Sequence, residues 1–195
     1  VVSSWHKREV AEAQLALVTT ELQRSDICPP FVAFKWAMDM IDPRPGARLL
    51  DIGCGVGHYG VLLRRWYPGV VYYGTDISES MIEIARRMNT GCHFEVAGIL
   101  DNSLDYDIVL LSGVLEYADN PPEALKLVVA ASKAIKILHR ARVLFNYGKK
   151  ILMPTYCGDR EEYYIWNLGE IESCVRGHEN ECLKWEEDQT TWVIQ

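Results

Sequence analysis

The stretch Arg48-Leu49-Leu50-Asp51-Ile52-Gly53-Cys54-Gly55-Val56-Gly57-His58-Tyr59-Gly60 decides how this chain is read. Its first five residues make a short apolar run of strand length, and the residues after Val56 carry Val61, Leu62 and Leu63 as the buried face of a helix. Between them, Gly53, Gly55 and Gly57 are spaced by single residues. Glycine accepts positive φ and has no Cβ, so such a turn is tight and a ligand can lie almost on its backbone. The helix that follows presents free N–H groups to whatever sits there. Strand, glycine turn and helix together describe a nucleotide-type cofactor site.

The glycines satisfy two patterns at once. Gly55-Val56-Gly57-His58-Tyr59-Gly60 is a literal G-x-G-x-x-G, and Asp76 follows at roughly the ~20 residues of a dinucleotide fingerprint. Asp51 discriminates between them. A dinucleotide brings a pyrophosphate to this turn, and a fixed carboxylate beside it repels that charge. A carboxylate suits a ligand with cationic groups, such as the ammonium and sulfonium of S-adenosylmethionine. Asp51-x-Gly53-x-Gly55-x-Gly57 resembles motif I of the class I S-adenosylmethionine-dependent methyltransferases. A dinucleotide-dependent oxidoreductase, or a glycine turn that merely closes a strand–helix connection, remain the alternatives at this point.

Composition bounds the reading. The 195 residues fit one domain, and 49% hydrophobic with 24% charged residues is a globular balance. A net charge of −7 and a pI near 5.3, without a concentrated basic stretch, argue against nucleic acid as the main partner. Arg64-Arg65 and Arg86-Arg87 fall in the last turns of predicted helices, where the dipole favours them. No apolar run approaches the ~18 residues of a membrane span, and no signal-peptide pattern is read near Val1. The six cysteines contain no C-x-x-C and the five histidines are scattered, so no metal site is expected. Reduced thiols in a cytoplasmic protein are the default.

Along the chain, residues 5–24 read as an amphipathic helix and a second helix starts at Pro30 and runs to about Ile41. These residues form an N-terminal helical cap over 1–45, with Trp5, His6 and Trp36 as lid candidates. Val70-Val71-Tyr72-Tyr73-Gly74-Thr75 is a strand ending at Asp76, placed where an acid accepts hydrogen bonds from ribose hydroxyls. Tyr73 to Ser78 resembles motif II of the same family. Residues 92–96 are the third strand. Many members carry an acid after it that meets the adenine amino group; this chain has Ala97-Gly98-Ile99-Leu100, leaving the backbone of Gly98 and Ile99 for the adenine edge and Ile77 or Ile99 for its face. Residues 106–111 form a continuous apolar strand, as a central parallel strand should be.

Ser112-Gly113-Val114-Leu115-Glu116-Tyr117-Ala118-Asp119-Asn120-Pro121 resembles motif IV, with Tyr117 where members often show His. The resemblance places Ser112 in the cofactor set and makes Glu116 and Tyr117 the candidates for holding the acceptor, with Glu116 as a general base. Residues 121–137 are expected to be a helix and 141–146 the fifth strand. Residues 146–164 read as a long loop over the acceptor, with Tyr147, Tyr156 and Arg160, beside Lys149 and Lys150, as candidate substrate contacts. A closing helix capped by Asn167 and two strands over 182–186 and 190–194 complete the chain.

The expectation is an α/β chain, one domain over 1–195 with its core at 46–195. The core is a three-layer Rossmann-like sandwich: a seven-stranded, mostly parallel sheet with an antiparallel last strand and helices on both faces. The resemblance implies in-line transfer of a methyl group from S-adenosylmethionine to a small-molecule acceptor. It also implies that the turn backbone at Gly53, Cys54, Gly55, Gly57 and His58 holds the methionine end, Asp51 its ammonium directly or through water, and Asp76 the ribose. A cofactor-binding partner or scaffold that has lost catalysis is the other reading. No nucleic acid or membrane partner is expected, and the sequence leaves the oligomeric state open.

Overall fold

The computed structural model describes residues 3–131, 133–144 and 148–195. The opening strand is β1, Arg48–Ile52, followed by β2 (Val71–Asp76), β3 (His93–Val96) and β4 (Ile108–Ser112). β1 runs parallel between β2 and β4, with Leu50 opposite Tyr73 on one side and Val109 on the other. β3 adds parallel to β2, and β5 (Ile135–Arg142) parallel to β4. The chain then leaves the sheet for a separate antiparallel hairpin, β6 (Lys149–Pro154) and β7 (Arg160–Ile165). It returns as β8 (Asn180–Lys184) and β9 (Gln189–Ile194), and β9 enters antiparallel between β5 and β8. The order β3-β2-β1-β4-β5-β9-β8 is the expected seven-stranded, mostly parallel sheet.

Alternation along these strands feeds two cores. Leu49, Ile108, Leu110 and Ile137 face α2 (Pro29–Ile41), α3 (His58–Trp66) and α4 (Glu79–Met88), meeting Phe34, Leu62 and Ile82. Leu50, Val109, Leu111 and Leu138 face α5 (Pro121–Ala131) and α6 (Leu168–Cys174), meeting Leu125, Val128 and Ile171. Each such side chain contributes roughly 1.5–3 kcal/mol on burial, which makes the sheet a stiff platform. Helix starts follow the sequence: Ser78 Oγ accepts from Met81 N–H in α4, and Asn167 and Glu170 form a capping box at α6.

α1 (Arg8–Leu22) stands apart from the sheet. Val10, Ala11 and Val18 pack it onto Val56 of the glycine loop and onto Met81 and Ile84 of α4. The N-terminal segment is also tied to the β6–β7 hairpin. Ser4 donates from N–H and Oγ to Glu161 Oε1, both at 2.5 Å, and Lys7 pairs with Asp159 at 2.8 Å.

Three expectations need correction. The helix at Pro121 ends at Ala131, and the fifth strand is Ile135–Arg142 where 141–146 was expected. Lys136, His139 and Arg140 break the apolar pattern there, but Lys136 and His139 are buried in the sheet all the same. The expected loop over 146–164 contains the β6–β7 hairpin. A turn with Gly158 at φ 83° joins its strands, whose mixed lysine and aromatic composition hid the alternation. Tyr147 lies outside the described residues.

Candidate functional site

The site is assembled at the carboxyl edge of β1, β2 and β4, where the order of the strands reverses around β1. Gly53, Gly55 and Gly57 have φ of 71°, 53° and 78°. At Gly53 a Cβ would also collide with the Val114 side chain, so only glycine fits. Asp76, at the end of β2, buckles this loop: its Oδ2 accepts from Gly55 N–H and its Oδ1 from Ser78 N–H, both at 2.9 Å. A carboxylate offers about four acceptor positions, so Asp76 keeps capacity for a diol facing the cavity it lines. Burial raises its pKa, against the pull of the two N–H groups.

Asp51 sits beneath the loop, fully buried, behind the cavity wall. Tyr72 donates to its Oδ2 at 2.6 Å, while Oδ1 has no partner among the described residues. Burial, with Asp76 nearby, pushes its pKa up to about 8 despite the Tyr72 bond. Cys54 packs in the core that faces α2, α3 and α4, its thiol pushed up by burial and by Asp51. Gly57 begins α3 behind the wall. His58 lines the cavity with both ring nitrogens unpaired among the described residues, and burial pushes its pKa down to about 3. It is neutral.

The cavity, about 890 Å³, lies within the roughly 300–1,000 Å³ of small-molecule sites. Its wall includes Gly53, Gly55 and Asp76 and the apolar side chains of Ile77, Met81, Ala97, Ile99 and Leu100. Gly98 is off the wall. Its N–H is bound to Asp101 Oδ2 at 3.0 Å, and its carbonyl accepts from Asn102 Nδ2 at 2.7 Å. An aromatic collar closes over the cavity: Trp5 meets Tyr117 at 5.1 Å and Tyr156 at 5.8 Å, and Tyr117 meets Tyr163 at 5.3 Å, all edge-on. Ser112 also lines the cavity, its Oγ 3.0 Å from Tyr59 Oη.

Glu116 stands behind the collar. It is fully buried, and its Oε1 accepts from Trp166 Nε1 at 2.8 Å. Burial raises its pKa to about 7, against that bond. Arg160 is exposed at the start of β7 and does not line the cavity, and Lys150 pairs with Glu162 at 3.0 Å. Of the lid candidates Trp5 lines the cavity, His6 lies close enough to act on Asp76, and Trp36 packs in the core beneath α2.

Several wall residues escaped the sequence reading. Gln14 Oε1 accepts from Val56 N–H at 3.0 Å and its Nε2 approaches Tyr156 Oη at 3.4 Å, so α1 closes the glycine loop from above. Its signal was a polar residue midway between Val10 and Val18 at four-residue spacing. Arg140, Tyr163 and Trp185 also line the cavity, and nothing local marks them. Among the described residues no group of three or more His, Cys, Asp or Glu side chains gathers as a metal ion would need, and no helix is long and apolar enough to cross a membrane.

A family profile described as a methyltransferase domain matches residues 23–137. The chain is 32% identical over 85 residues to ribosomal RNA small subunit methyltransferase C of Stutzerimonas stutzeri (strain A1501), covering 44% of this chain and 25% of the relative. It is 30% identical over 90 residues to trans-aconitate 2-methyltransferase of Mycolicibacterium gilvum (strain PYR-GCK), covering 45% and 34%. The chain thus spans only a quarter to a third of the length of these relatives. Among solved structures, the sugar N-methyltransferase KedS8 from Streptoalloteichus sp. superposes with a TM-score of 0.65 at 15% identity, over 93% of this chain and 92% of that one. The profile covers more than half of the chain and the sheet order agrees with it: the chain belongs to the class I S-adenosylmethionine-dependent methyltransferases.

Proposed function

We propose that this chain transfers the methyl group of S-adenosylmethionine to a small-molecule acceptor. The supporting observation is one cavity whose wall holds the glycine loop, Asp76 and an aromatic collar together, with α1 and the hairpin contributing to it. Its residues suit the cofactor: a loop without Cβ atoms at Gly53, spare acceptor capacity on Asp76, an unpaired buried oxygen on Asp51 and an apolar slot at Ile77, Ile99 and Leu100. When bound, S-adenosylmethionine supplies an electrophilic methyl carbon.

The chain's own groups then position and desolvate. The glycine loop with Cys54, Gly57 and His58 shapes the methionine end, Asp51 answers the ammonium from below or through water, and Asp76 takes the ribose. Ser112 and Tyr117 face the acceptor side, where the collar excludes water and holds the reactants in line. Glu116, through its place behind Tyr117 and Tyr163, orients that wall.

Relatives named for trans-aconitate and for ribosomal RNA both occur. The roofed cavity and the net charge of −7 favour the small molecule. The reading takes residues 1–195 as one unit in a cytoplasmic setting, supported by six free cysteines. Calorimetric titration with S-adenosylhomocysteine and release of that product across an acceptor panel test it. Saturable binding and turnover on a small acceptor are expected; turnover confined to ribosomal RNA, or no binding, would refute it.

A further inference from the structure

Strand β5 carries a strained residue in the cavity wall. Its register with β9 shifts between His139 and Ala141, and Arg140 occupies the irregularity with φ 60°. A left-handed backbone is unfavourable for any residue with a Cβ, and such outliers persist where the surrounding structure overdetermines them, typically at ligand sites. Regular alternation from Leu138 would send Arg140 into the core against α5 and α6. The bulge gives that slot to Ala141, which packs there with Leu138, and re-aims Arg140 into the cavity.

Among the described residues the guanidinium makes no ion pair, though the Tyr59 hydroxyl hydrogen-bonds to it and Glu21 acts on it from farther off. Arg142, two residues on, is neutralised by Asp188 at 2.7 Å, whereas no ion pair among the described residues involves Arg140. Burial opposes its charge, but Tyr59, Tyr156 and Glu21 around it hold its pKa above the ordinary value. It shares the cavity wall with Trp5, Tyr117 and Tyr156, and Tyr117 and Tyr156 lie close enough to interact with its charge.

We propose that Arg140 is the acceptor-anchoring residue and that the acceptor is a flat organic carboxylate, its anionic end held by the guanidinium and its plane by the aromatic collar. This rests on the methyltransferase reading above. A planar fork matches a carboxylate through two parallel hydrogen bonds. Glu21 and Glu186 also line the cavity, so a singly charged carboxylate is accommodated better than a doubly charged phosphate.

The test is a tryptophan-fluorescence titration with benzoate, benzamide and phenyl phosphate, with and without S-adenosylhomocysteine; Trp5 and Trp185 report from the wall. Benzoate should bind at least tenfold more tightly than benzamide. Arg140→Gly, which suits φ 60°, should melt no lower than the parent, bind S-adenosylhomocysteine within twofold of it, and lose the preference. Arg140→Lys should keep part of it. The proposal is overturned by equal binding of benzoate and benzamide, by no benzoate saturation at tens of millimolar, by a preference that survives Arg140→Gly, or by phenyl phosphate binding more tightly than benzoate. Failure to bind S-adenosylhomocysteine, with the carboxylate preference intact and dependent on Arg140, would remove the methyl-transfer reading and leave the anion site standing.

Discussion

Replacing Glu116 by Gln tests the energetics of the wall behind the acceptor. The carboxyl is fully buried, Trp166 Nε1 donates to one oxygen at 2.8 Å, and the other has no partner among the described residues. Its pKa of about 7 in the fold compares with about 4.3 in an unfolded chain. Because the folded value is raised, the favourable contribution of the neutral acid is complete below the unfolded value and is lost as pH rises through about 7. Between pH ~5 and ~8.5 these two values imply a loss of about 2.5 kcal/mol. Glutamine keeps the acceptor for Trp166 and cannot ionise. The variant should therefore gain on the parent with pH, by roughly 5–10 °C in melting temperature across that range for a domain of this size. Parallel thermal unfolding of both proteins at five or six pH values measures it. A difference in melting temperature that does not change with pH would refute the reasoning, because the carboxyl would then ionise as easily folded as unfolded.

Three further outcomes are expected. Asp76→Ala removes the carboxylate that holds the glycine loop through Gly55 and Ser78 N–H and that is proposed to take the ribose; at about 1.5–3 kcal/mol for each of two ribose hydroxyl bonds to that charged group, affinity for S-adenosylhomocysteine should fall at least ~100-fold by calorimetry, and an unchanged affinity would remove Asp76 from the site. Gly53→Ala places a Cβ at φ 71° against Val114 and should lower stability by roughly 2–4 kcal/mol in denaturant unfolding; a neutral result would show that the loop can move. Asp51, held up to about 8, must release its proton to answer an ammonium; cofactor affinity should then rise up to ~10-fold per pH unit between pH ~6 and ~8. Calorimetry in two buffers of different ionisation heat would detect the proton, and a flat profile would separate Asp51 from the ammonium.

The glycine loop and the strands around it were legible because their signals are local. Alternating glycines, an acid before them and an acid at the next strand end all depend on a few neighbouring residues, as do the Asn167 cap and the apolar run of β4. β5 was misplaced because Lys136 and His139 are buried through contacts made by distant residues; Thr191, for one, meets His139 Nδ1 at 2.7 Å. The same cause hid Arg140, whose direction is set by a register shift against β9 some 50 residues later. Glu116 shows the reverse. A motif placed it beside the acceptor, but Trp166, 50 residues on, draws its carboxyl behind the wall.

The ties between the N-terminal segment and the hairpin bear on how the rim of the cavity is held. Ser3 and Ser4 on Glu161, and Lys7 on Asp159, join segments more than 150 residues apart in sequence by polar contacts that are part-buried or exposed. The exposed Lys7–Asp159 pair adds little to stability, on the order of 0–1 kcal/mol, whereas the floor is fastened by two apolar layers. None of these contacts belongs to a ladder of the seven-stranded sheet, so the rim above the cavity and the platform below it are held by separate and unlike forces.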